Sequence, residues 1–136
     1  MAVSLSKINS FVENLAEKKI DLSGAELTVA LTNTAHTATW DELADLTEIN
    51  YDNCSSRVIT VTTSAQTSGT YKLVLADLTL TATGTVGPFR YVYVYDDGST
   101  GDKLLWYYDY GSEITMADGD TFKIVFSADD EVITIA

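Results

Sequence analysis

The spacing of apolar residues along the chain changes period once, near residue 22. Before that point Ile8, Phe11, Val12 and Leu15 follow the i, i+3, i+4, i+7 spacing of an amphipathic helix. Ser10 and Glu13 stand at the spacing of a capping box, which predicts a short helix over residues 10–18. An extended arm is the rival reading, because Phe11, Glu13, Leu15 and Glu17 also alternate, if imperfectly. From residue 25 onward the period is two. Leu27, Val29 and Leu31 share one face with Thr28 and Ala30 opposite, the mark of a half-buried strand.

Further strands are predicted over 57–63, 71–81, 89–95, 103–110, 121–126 and 132–135. Thr39, Trp40, Asp41 and Glu42 are placed to cap one helical turn carrying Leu43 and Leu46. Residues 33–39 read as a polar loop, and 64–70 as a turn-rich connection ending at Gly69. The 71–81 segment carries large apolar residues on both faces and is expected to be a central strand. Phe89, Tyr91, Tyr93 and Tyr95 line one face of the next strand; Leu104, Trp106, Tyr108 and Tyr110 line one face of its return. Asp96 to Asp102 has the Asp, Gly and Ser content of a hairpin loop, and 128–131 reads as a second tight turn. About seven strands with turn signals at short intervals predict an all-β, single-domain antiparallel β-sandwich or barrel over 23–136. A helix or arm over 1–22 precedes it.

Composition agrees. The chain has 136 residues, 46% of them hydrophobic, which is enough for one domain with its own core. Twenty acidic residues against eight basic ones give a net charge of −12. That field repels phosphate backbones and anionic lipid, so neither nucleic acid nor a membrane is an expected partner. The N-terminus has no charged stretch followed by a long apolar run, and no segment approaches the length of a membrane-spanning helix. Neither a signal peptide nor a transmembrane helix is expected.

Candidate chemistry is sparse. One cysteine, Cys54, and one histidine, His36, cannot build a Cys/His zinc site or an intrachain disulfide. His36 reads as an exposed loop residue and Cys54 as an inert thiol with no basic neighbour closer than Arg57. The acidic residues fall mostly in turns, and no pair stands out as a glycosidase dyad. The 96–102 loop lacks EF-hand spacing, so turn chemistry explains it better than calcium does. No catalytic residue, cofactor or metal is expected. The aromatic faces of the 89–110 hairpin stand out instead, and core packing, a subunit interface and a sugar-stacking platform are all open to them.

Phe11 to Ala16, Asp21-Leu22, Leu27 to Ala35, Ser64 to Tyr71, Gly87 to Tyr91 and Asp109 to Ser112 form a series of turn and strand phrases. Together they resemble those of a family of small virion proteins of tailed bacteriophages. The resemblance spans about residues 7–135. It departs from the family at Glu17 to Ile20, where a turn with Gly and His is expected, and at His36, where Pro is expected. The resemblance implies a capsid decoration (cement) protein, not an enzyme, that binds the major capsid protein on the outer surface of the phage head. It would be assembled in the host bacterial cytoplasm, with a homotrimer as the first expectation. The alternative is a carbohydrate-binding module of a phage fibre or head appendage; an acidic DNA mimic is a third. Ile8, Phe11, Val12, Leu15, Trp40 and Tyr107 are the candidate capsid or subunit contacts. On this view a chain lacking residues 1–20 is expected to fold and to lose capsid grip.

Overall fold

Alternating β-branched and aromatic residues give the chain strands and little else. A computed structural model describes residues 4–23, 26–126 and 133–136. The fold is all-β, built from antiparallel sheets with one short N-terminal helix. Its spine is a long hairpin of β6 (Val86–Asp96) and β7 (Lys103–Met116). β2 (Leu27–Thr32) pairs with β6, and β1 (Ser6–Lys7) pairs with β7, giving a four-stranded sheet in the order β1-β7-β6-β2. A three-stranded sheet holds β3 (Val61–Thr67), β4 (Thr70–Leu75) and β9 (Ile133–Ile135) in the order β3-β4-β9. β5 (Leu78–Thr81) and β8 (Thr121–Ile124) form a two-stranded sheet that packs on the spine through Phe122, which meets Phe89 and Tyr110 edge-on.

Three strand predictions are corrected. The 71–81 segment is two strands in different sheets, parted at Ala76-Asp77. The 57–63 strand is displaced: β3 runs to Thr67, through polar residues that suit an exposed strand as well as a loop. Ser68 (φ 52°) and Gly69 (φ 82°) then close a two-residue hairpin to Thr70, with positive φ at both central positions as a type I′ turn requires. The return strand of the spine also continues past Gly111 to Met116, so nine strands stand among the described residues. The predicted 128–131 turn and the start of the last strand at Val132 lie outside the described residues.

The register of the spine differs from the reading of aligned aromatic faces. Tyr93 lies opposite Tyr107, Val94 opposite Trp106 and Val92 opposite Tyr108. The connecting loop and a register shift between Val94 and Tyr95 move the return strand by one residue, which exchanges its faces. Gly87 (φ 116°) sits at a second irregularity, where a Cβ would lie 2.6 Å from the Ile114 carbonyl oxygen. Both faces of the sheet are covered: Val92, Val94, Trp106 and Tyr108 on one side and Tyr91, Tyr93 and Tyr95 on the other are all buried.

The helix α1 (Phe11–Ala16) is shorter than the 10–18 span, and its capping box does not form. Ser10 instead donates its hydroxyl to Asp41, which also accepts from Asn14 Nδ2 at 2.7 Å and from Lys103 Nζ at 2.7 Å. The capping box appears at the single 3₁₀ turn Leu43–Asp45, between Glu42 and Asp45. α1 ends in a Schellman arrangement, with Lys18 N–H on Leu15 O and Lys19 N–H on Asn14 O. Lys18 there takes a left-handed φ of 65°. Ile8, Phe11, Ile20 and Leu22 are all buried in the common core, and Phe11 meets Trp106 edge-on. Residues 4–22 are therefore packed into the domain and are not an arm, and removing residues 1–20 strips the core of three apolar side chains and one sheet of its edge strand.

Candidate functional site

The six candidate contacts separate. Ile8 and Phe11 are core residues and present no surface to a partner, which corrects their assignment as contacts. Trp40 and Tyr107 belong to an aromatic cluster on the opposite face of the four-stranded sheet from Phe11. Only Val12, 53% exposed, and the half-buried Leu15 stay on the outside of α1.

The aromatic cluster is built by the polar loop after β2, which folds back over β6 and β7. His36 stacks on Tyr107 with ring centroids 4.4 Å apart, and Tyr107 stacks on its cross-strand neighbour Tyr93 at 5.1 Å. Trp40 meets His36 edge-on at 5.6 Å, and His36 Nδ1 lies 2.8 Å from the Tyr93 hydroxyl. His36 is thus half-buried against three rings and not a free loop residue. That burial lowers the pKa of its imidazole, because the charged form loses water. The Tyr107 ring is half-buried and stacks on both Tyr93 and His36, which themselves lie 5.9 Å apart.

A second surface lies where the N-terminal segment meets the three-stranded sheet. Leu15, Ile20 and Leu22 face Tyr71 and Ile135 across a groove of about 670 Å³, rimmed by Lys18, Asp21, Ser23 and Ser64. Ile20 and Leu22 form its buried floor, while Ile135 is 43% exposed. The Tyr71 hydroxyl is held by the Ser64 hydroxyl at 2.8 Å, which directs its ring along the wall. Sequence reasoning reached Leu15 but missed the others. Leu22 and Tyr71 are 49 positions apart, and only the fold joins them.

The 96–102 loop uses its acids for turn geometry. Asp96 is buried, and its carboxylate accepts the Asp21 and Gly98 N–H groups at 3.0 Å each. Among the described residues no group of three or more His, Cys, Asp or Glu side chains is arranged to hold a metal. Cys54 is half-buried, and desolvation raises its thiol pKa, partly offset by the nearby charge of Arg57. Compared with protein-family models, with curated proteins and with solved structures, the chain matches none.

Proposed function

We propose that this protein is a non-enzymatic virion structural protein that binds the outside of a tailed-phage capsid as a decoration protein. The observation that carries the reading is the groove between α1 and the β3-β4-β9 sheet. On a chain of net charge −12, it gathers Leu15, Tyr71 and Ile135 into one apolar opening on the surface. Apolar surface framed by charge is the usual form of a protein-docking site. The phrase resemblance to small phage virion proteins supplies the partner, the major capsid protein, and the place of assembly, the host cytoplasm. A sugar-binding role draws less support, because it needs open ring faces and Tyr107 has its ring stacked on two neighbours.

Leu15→Glu and Ile135→Glu place a charge in the groove without touching its floor. Each is expected to leave the melting temperature within a few degrees of the parent. Each should weaken binding to purified phage heads by about thirtyfold, the loss that follows from about 2 kcal/mol at an interface centre. Unchanged head binding by both folded variants would remove the groove from the reading. Tyr107-dependent binding on a glycan array would favour the carbohydrate module.

A further inference from the structure

Sheet edges expose unpaired main-chain N–H and C=O groups, and proteins ordinarily blunt them with charge, proline, bulges or a covering segment. Most of β3 is blunted by none of these. Thr67 and Thr70 flank a two-residue turn and so exchange main-chain hydrogen bonds with each other. By the alternation of the ladder, Ser64 and Gln66 direct their N–H and C=O groups away from β4. Among the described residues nothing bonds to that side of the strand. The single register shift lies at Val61/Thr63, at the start of the strand, and leaves Thr63 to Thr67 in unbroken register with β4. Apart from β2, the other edge strands are short: two residues in β1, four each in β5 and β8, and three in β9.

Charge makes the same strand unusual. From Val58 to Tyr71 the chain runs fourteen residues without a charged side chain, although 28 of its 136 residues are charged. Thr62, Thr63, Ala65, Gln66 and Thr67 are exposed, so the strand itself presents no charge, and its neighbour across the ladder from Ala65 is the basic Lys72. A second acidic copy is repelled almost everywhere else on this protein, and is admitted along this strip. An antiparallel pairing of one edge with itself is also self-complementary under a twofold axis.

The geometry points to β3 as the seam with a second copy of this chain: two β3 edges pair antiparallel about a twofold axis, joining both three-stranded sheets into one of six strands. Seven residues per copy make a small interface, of the class below about 1,200 Å² that forms weakly and reversibly. The inference is independent of the capsid reading, and it replaces the threefold arrangement with a twofold one.

Sedimentation equilibrium of the full chain, from micromolar to several hundred micromolar, tests it. The expected result is a concentration-dependent monomer–dimer equilibrium. Thr63 and Ala65 lie on the outer face of β3, away from the core, so two double variants are informative. Thr63→Glu/Ala65→Glu and Thr63→Lys/Ala65→Lys should each keep the parent's circular dichroism, the lysine variant melting a few degrees lower because Ala65 lies opposite Lys72 on β4. Each should dimerise about tenfold more weakly, because like charges come opposite across the seam. An equal mixture of the two variants should recover dimer. A chain that stays monomeric throughout, a trimer, or a dimer that both folded variants leave intact would overturn the assignment.

Discussion

β2 and β3 are both edge strands, and the chain treats them in opposite ways. Along β2 the segment from Thr47 to Ile59 turns back and satisfies the outward main-chain groups one after another. Ile59 N–H reaches Leu27 O, Val29 N–H reaches Arg57 O, and Arg57 Nη1 reaches Val29 O at 2.6 Å. The Tyr51 hydroxyl accepts Leu31 N–H at 2.8 Å and donates to Glu48, while Ile49 N–H takes Leu31 O. The Arg57 guanidinium lies 3.7 Å over the Tyr51 ring, so the cap is also held together by cation–π contact. On the far side of that sheet β1 and the Asp41-Glu42 stretch close much of the edge of β7 in the same manner. β3 receives no such cover among the described residues. A fold that spends two segments closing one sheet and leaves an uncharged edge on another separates what must stay folded from what is free to meet a partner.

The comparison breaks first at the segment that closes β7. Phe11→Ala leaves a cavity against Trp106 and should cost about 3–5 kcal/mol in chemical denaturation. Removal of residues 1–20 should give a chain without a cooperative transition; a truncated chain that melts like the parent would restore the arm reading. Tyr51→Phe comes next. It strands the Leu31 N–H beside a ring without a hydroxyl and should cost about 1–3 kcal/mol.

Asp41 ties α1 to the spine, and its effect is pH-dependent. Partial burial by itself would raise its pKa, but hydrogen bonds from Lys103, Ser10 and Asn14 bring it down from 3.8 to about 2. A carboxylate depressed on folding stabilises the protein above its unfolded value and loses that contribution as pH falls through the folded one. Because the side chain is 34% exposed, solvent screening leaves about 1 kcal/mol. Asp41→Asn should therefore be less stable than the parent by that amount at pH 6. The gap should close between about pH 4 and pH 2, as followed by urea titrations at each pH. The smallest effect is a gain. Lys18 holds a left-handed conformation that glycine adopts freely, and Lys18→Gly should raise stability by about 0.5–1 kcal/mol, read as a higher urea midpoint.

What the sequence made legible follows from where the deciding forces act. The helix at Phe11–Ala16, the strand at Leu27–Thr32 and the 3₁₀ turn after Glu42 are local in origin; apolar spacing announces the first two, although the cap expected at Ser10 does not form. The shared phase of the spine's two strands was not legible, because one extra residue near Tyr95 exchanges the faces of the return strand from Trp106 to Asp109. The division at Ala76-Asp77 was hidden as well, since apolar residues on both faces suit one central strand or two short ones. The role of Phe11 was misassigned for a related reason: an amphipathic stripe states that a face is buried without naming what buries it. The Tyr51 and Arg57 cap depends on side chains meeting a strand 20 and 28 residues away, for which the sequence carries no periodic signal.

Site-resolved amide hydrogen exchange, recorded on dilute and on concentrated protein, tests the difference between the two edges most directly. The account predicts that Val29 and Leu31, whose N–H groups are capped within the chain, are protected equally at both concentrations. Ser64 and Gln66 should exchange rapidly in the dilute sample and slow in the concentrated one. Protection of Ser64 and Gln66 at every dilution would show an edge already closed within one chain. Rapid exchange of both at every concentration would show an edge that meets no second copy, and either result would contradict the account.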